Sequence, residues 1–151
     1  MSKKIEFQFD DGLGYQLDAI NSVVGLFKGL PRRIDGIYRP QNIVKIGSGN
    51  PVRNESIVAG MRLLENLRTT QLENKLFSDV ELKNNNFTIE METGTGKTYV
   101  YLRTILELYK EYGFKKYMIV VPSIAIRKGV EKSIDQLSDH FKRLYDINIK
   151  R

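Results

Sequence analysis

The chain opens on alternating apolar and polar side chains, Ile5-Glu6-Phe7-Gln8-Phe9, the period-two pattern of a short strand, closed by the turn-forming Asp10-Asp11-Gly12. The period then changes. Tyr15, Leu17, Ile20, Val23, Val24 and Phe27 recur at helical spacing, so Tyr15–Phe27 is predicted as an amphipathic helix stopped by Gly29 and Pro31. Residues 31–52 are rich in Gly, Pro, Asn and Arg, with Ile37-Tyr38 and Ile43-Val44 as material for short strands around a turn. A second helix is predicted over Asn54–Leu76, with Ile57, Met61, Leu64, Leu67 and Leu72 on one side. Asn54 is its expected cap, because its side-chain oxygen can accept from the first free backbone N–H groups. After the polar break Lys83-Asn84-Asn85-Asn86, the spacing predicts a strand at Phe87–Met91 and a glycine turn at Thr93–Gly96. A helix follows over Lys97–Tyr112, with Val100, Ile105, Leu108 and Tyr109 inward and Gly113 as a left-handed stop. Lys116–Val121 is a short β-rich run of the kind buried in a parallel sheet, and Ser123–Leu144 is mostly helical, with Gly129 as its weak point.

The second half therefore reads strand, glycine loop, helix, strand, helix. That order is a βαβ unit, which requires parallel pairing, so the expected fold class is α/β with a parallel sheet and flanking helices, preceded by a mostly helical N-terminal region.

Composition narrows the chemistry. The 151 residues suit one domain. They carry 24 Lys+Arg against 18 Asp+Glu, a formal net charge of +6, which favours polyanions such as nucleic acid. The acidic residues are interleaved, so this is no basic tail. There is no cysteine, which excludes disulfides, thiolate zinc sites and cysteine nucleophiles. His140 is the sole histidine, which excludes a histidine metal cluster and fits a packed or solvated helix residue. No apolar run reaches the ~18–20 residues that span a bilayer. Basic Met1–Lys4 runs straight into Glu6, Asp10 and Asp11, unlike a signal peptide, and a cytoplasmic location is expected.

Gly94-Thr95-Gly96-Lys97-Thr98 carries the strongest chemical signal. A polyphosphate needs several donors converging on it with no side chain in the way. Glycines at 94 and 96 allow that approach, and a helix starting near Lys97 aims its free N–H groups at the same anion. Lys97 can reach the β- and γ-phosphates, and the Thr98 hydroxyl can hold a bridging Mg²⁺. Thr93, Gly94, Thr95, Gly96, Lys97 and Thr98 are thus the candidate residues for ATP and Mg²⁺, with Lys97 and Thr98 closest to catalysis. Met91 stands where the strict GxxxxGK[ST] pattern has its first glycine. The bland alternative is a glycine turn capping an ordinary helix, which seldom supplies the Lys-Thr pair and both flanking elements together. Glu90 and Glu92 flank the loop and read as loop-supporting or outward-facing rather than catalytic.

Met-Glu-Thr-Gly-Thr-Gly-Lys-Thr (residues 91–98) resembles motif I of superfamily 2 helicases, which commonly relax that first glycine. From Glu90 to Lys132, with YVYLRTI after the loop and VVPSIAIR after the next run, the chain resembles the restriction subunit of type III restriction–modification enzymes. The resemblance implies a partial RecA-like P-loop ATPase domain starting near residue 84, with residues 1–83 as an N-terminal region. It implies ATP and Mg²⁺ as cofactors, double-stranded DNA as a partner, and a separate DNA-modification (methyltransferase) subunit that holds site specificity. Pro122, Ser123 and Arg127 fall where the family's motif Ia meets the DNA backbone, while Lys128 stands where close relatives would carry an acid. Gln16 matches the upstream glutamine by which such helicases read adenine. A glutamine on an amphipathic helix is otherwise simply part of its wet face.

After Val121 there is no apolar strand ending in an Asp-Glu pair, no arginine-finger segment, no second motor domain and no nuclease motif. The expectation is a front-end fragment of a larger subunit, with weak nucleotide binding, no useful turnover alone, and open edges on its two strands. Another superfamily 2 helicase, a small P-loop kinase or nucleotide-binding regulator, and a basic nucleic-acid-binding module with an incidental glycine loop are the competing readings.

Overall fold

A computed structural model of the chain describes residues 9–29, 52–76 and 86–147. Four helices follow in order: α1 (Gly14–Gly25), α2 (Val52–Glu73), α3 (Lys97–Tyr112) and α4 (Ile124–Tyr145). α3 has both α1 and α4 as neighbours, and α1 also meets α2.

Most helix ends have a local cause. Asp10 Oδ1 accepts the Gly12 N–H at 2.9 Å, turning the chain before α1. The Leu13 carbonyl then accepts from the Gln16 and Leu17 N–H groups at 3.0 Å. α3 starts after Gly96 (φ 83°) and stops at Gly113 (φ 74°), whose N–H reaches the Tyr109 carbonyl, both in the left-handed region that glycine enters without strain. Ser123 caps α4, its Oγ accepting the Ile126 N–H at 3.3 Å. α2 begins at Val52, so Asn54 lies inside its first turn instead of capping it.

The core is an α3–α4 seam. Tyr99, Leu102 and Leu106 recur on one face of α3 and meet Leu137 and Phe141 of α4, with Phe9, Tyr101, Ile134 and Tyr145 packed around them. Phe141 is fully buried, a contribution of about 1.5–3 kcal/mol for a side chain of this size. A second cluster closes the other end of α3. The Phe27 ring lies 5.8 Å from that of Tyr112 and 5.2 Å, edge-on, from that of Phe114. The Tyr112 hydroxyl donates to the Val24 carbonyl at 3.0 Å. Asn66 of α2 donates to the Leu26 and Lys28 carbonyls, which ties α2 to the end of α1.

Two sets of expectations are corrected. The α/β class, a RecA-like parallel sheet, is overturned: the described residues contain four helices and no strand. Phe87–Met91 and Lys116–Val121 run without helical structure as expected, but neither is paired in a ladder. A run becomes a strand only through hydrogen bonds to a neighbour, and the local apolar pattern says nothing about where that neighbour comes from. Met118 and Val120 are 88% and 83% exposed as a result. Helix faces are also revised. Tyr15, Met61, Leu72 and Tyr109, expected inward, are exposed, while polar Gln16 is buried. The expected strand at Ile5–Phe9 (except Phe9 itself), the short strands at Ile37-Tyr38 and Ile43-Val44, Pro31 and the Lys83–Asn85 break lie outside the described residues.

Candidate nucleotide-phosphate site

The glycine loop is built against α1 and runs into the first turn of α3. Gly94 (φ 85°) and Gly96 (φ 83°) both take the left-handed conformation, which curls the backbone between them. Space for a Cβ is open at Gly94. The Thr95 hydroxyl donates to the Glu92 carbonyl at 2.7 Å, closing the curl from within. The Lys97 ammonium folds back over the loop, donating to the Met91 carbonyl at 2.8 Å and the Glu92 carbonyl at 2.7 Å. An ammonium has three donors, so one remains for an anion above the loop. The first N–H groups of α3 have no intrahelical partner and add the positive end of a 16-residue helix at the same point. Thr98 is half-buried in that first turn.

This donor set fits a polyphosphate: a curled backbone with no side chain over Gly94, one flexible cation and a helix N-terminus. Thr93, Gly94, Thr95, Gly96, Lys97 and Thr98 are therefore brought together as one continuous structure. Glu90 and Glu92 are both exposed. Among the described residues, no cluster of three or more acidic or histidine side chains forms a metal cage.

Gln16 joins them from α1. It is 6% exposed, and its Nε2 donates to the Thr95 carbonyl at 2.9 Å, across 79 positions of sequence. Beside the loop, a groove of about 900 Å³ runs between α1, α2 and the 87–92 segment, lined by Tyr15, Ala19, Leu67, Phe87 and Met91 and reaching Thr95.

Pro122, Ser123 and Arg127 sit elsewhere, at the exposed N-terminal end of α4. Only the C-terminal half of α4 is anchored in the core, through Leu137, His140 and Phe141. Arg127 pairs with Glu131 at 3.3 Å, and Lys128 binds the same carboxylate at 2.9 Å. Exposed pairs of this kind hold a cation weakly and release it to a stronger anion.

One cluster escaped the sequence reading. Arg103 donates from Nη1 to the Asp11 carbonyl (2.6 Å) and the Tyr99 hydroxyl (3.2 Å), and from Nε to the Tyr145 hydroxyl (3.1 Å). Tyr145 donates to Glu107 Oε1 at 2.6 Å. Tyr99 lies 3.2 Å from His140 Nε2. Burial lowers the His140 pKa from its ordinary value, with the Asp11 carboxylate opposing and Arg143 and Arg103 reinforcing the shift. Burial likewise raises the Tyr99 phenol. The 99, 103, 107 spacing on one face of α3 was the available signal.

Comparison with known proteins agrees with the motif. The family described as type III restriction enzyme, res subunit, matches residues 14–149. The EcoPI Res subunit of Escherichia phage P1 is 30% identical over 141 residues, covering 82% of this chain and 14% of that protein. The EcoP15I Res subunit of Escherichia coli is 30% identical over 138 residues, 80% of this chain and 14% of that protein. The StyLTI Res subunit of Salmonella typhimurium is 46% identical over 63 residues, 40% of this chain and 6% of that protein. No solved structure matches the chain.

Proposed function

This chain belongs to the type III restriction enzyme Res-subunit family, and on that footing we propose that it binds ATP and Mg²⁺ at Thr93–Thr98 as part of an ATP-dependent DNA translocase. The observation that carries the reading is the curled Gly94–Gly96 backbone delivered to the N-terminus of α3 with the Lys97 ammonium folded over it. Backbone N–H groups of the loop would hold the β-phosphate, Lys97 would swing from its two carbonyls to the β- and γ-phosphates, and the Thr98 hydroxyl would ligate Mg²⁺. Bound ATP supplies the phosphoryl chemistry, and these residues position it and neutralise its charge.

Pro122, Ser123 and Arg127 are proposed to meet the DNA backbone. The exposed, Ser-capped start of α4 supports this, as does the weak hold of Glu131 on Arg127. The chain spans about 14% of the length of the first two relatives it matches, so translocation, DNA cleavage and pairing with a modification subunit are proposed for the whole protein.

Titration with a fluorescent ADP analogue and Mg²⁺, beside Lys97→Ala, tests the site. Removing a charge-assisted contact to phosphate costs about 1.5–3 kcal/mol, so the variant is expected to bind roughly 10- to 100-fold more weakly. Equal binding by both proteins, or none by either, would overturn the reading for this chain.

A further inference from the structure

We propose that Gln16 is a positioning residue that braces the phosphate loop from beneath, through the Thr95 carbonyl, instead of serving only to read a base. The inference rests on the reading that this loop takes phosphate. Gln16 is buried, and one of its two Nε2 N–H groups is held by the Thr95 carbonyl at 2.9 Å. A glutamine that reads the adenine edge uses an amide N–H and its carbonyl on the base, so the bond to Thr95 is a separate use of the side chain. Gln16 also leaves no room for a side chain at Gly96, since a Cβ added there would lie 2.6 Å from Gln16 Nε2. Gly96 thus answers to two demands, its left-handed φ and the glutamine packed against it. Gly94 has open space at the same position and answers only to the first.

Peptide geometry says what the brace achieves. The 95–96 peptide is planar and trans, so its carbonyl and its N–H point in opposite directions. Pinning the Thr95 carbonyl onto Gln16 turns the Gly96 N–H away from α1, to the face of the loop open to an anion. It also removes the carbonyl oxygen from that face, where it would repel phosphate. Lys97 and Thr95 hold the Met91 and Glu92 carbonyls at the other end of the loop. α1 therefore sets the donor orientation of a loop that lies 79 positions away in sequence.

The test uses the 151-residue chain with Gln16→Met, which keeps the volume and loses the bonds, and Gln16→Glu, which keeps the shape and loses the donor. Calorimetry with Mg²⁺ and ADP, GDP or inorganic tripolyphosphate is run beside amide NMR of the loop without ligand, with circular dichroism to check helix content. Without its donor the Thr95 carbonyl is free to turn towards the anion, so all three ligands are expected to weaken by about ten-fold at an unchanged ADP-to-GDP ratio. The Gly94 and Gly96 amide signals should shift while those of Leu102–Leu108 stay in place. Loss confined to ADP, with GDP and tripolyphosphate unaffected, would make Gln16 a base reader and overturn the proposal. If the unaltered chain binds none of the three, the phosphate reading fails. The loop amides then still decide the brace, and amides unmoved in both variants would overturn it.

Discussion

Arg103 gathers three parts of the chain onto one guanidinium. It reaches Asp11 ahead of α1, Tyr99 one turn back on α3, and Tyr145 at the end of α4. Its side chain is only 13% exposed, and the bonds to the Tyr99 and Tyr145 hydroxyls are part-buried, so they are worth more than surface pairs. Arg103→Met keeps much of the apolar stem and removes every donor, leaving the Asp11 carbonyl and the Tyr99 and Tyr145 hydroxyls to reorganise. The expected loss is about 2–3 kcal/mol, a fall of roughly 5–10 °C in the melting temperature followed by circular dichroism. An unchanged melting temperature would show that the cluster holds nothing. At this scale the sequence was half legible. The repeat of 99, 103 and 107 on one helix face could be read from spacing, but Tyr145 lies 42 positions beyond Arg103, and only the fold brings them together. Gln16 shows the same limit: the resemblance marked it as a binding residue, but its buried bond to the Thr95 carbonyl, 79 positions away, comes only from the fold.

The helices were the legible elements because their signals are local. Gly113 stops α3 in the left-handed conformation its type suits, and Ser123 caps α4 with its own oxygen. The two apolar runs were read as strands because β-rich composition is local too, whereas a ladder partner is not. α4 also carries a weakness that sequence and structure agree on. Gly129 sits inside the helix, is exposed, and has nothing within 4 Å of where a Cβ would stand. Its backbone is helical, so alanine fits without strain and removes entropy from the unfolded chain. Gly129→Ala is expected to raise stability by about 0.4–1 kcal/mol, read as a higher urea midpoint at unchanged slope. A lower midpoint would mean that the exposed half of α4 is not a continuous helix in solution.

At the scale of the whole molecule, the His140 ring couples the α3–α4 seam to pH. Arg103 donates to the Tyr99 hydroxyl oxygen, which leaves the Tyr99 proton able to serve the neutral His140 Nε2 at 3.2 Å. That arrangement needs the neutral imidazole with Nε2 as acceptor. The Phe9 ring lies 5.5 Å from the same imidazole and the Phe141 ring also 5.5 Å, so the ring is held among aromatic neighbours. Protonation would bring a second donor to the Tyr99 oxygen, leave the Tyr99 proton without its acceptor, and place charge near Arg103 and Arg143, with only Asp11 in opposition. Burial accordingly holds the folded-state pKa of His140 below its ordinary 6.5. The unfolded chain therefore takes up the proton first as pH falls, and stability must fall with it. The contribution is complete above about pH 6.5 and is lost as pH drops through that value towards the folded pKa. Urea midpoints measured between pH 7.5 and 5, above the range where most carboxylates titrate, should decline for the unaltered chain and stay nearly level for His140→Gln. The glutamine variant should start lower at pH 7.5, having lost aromatic packing, and the two curves should converge towards pH 5. Parallel curves would show that the Tyr99–His140 contact does not govern the acid response.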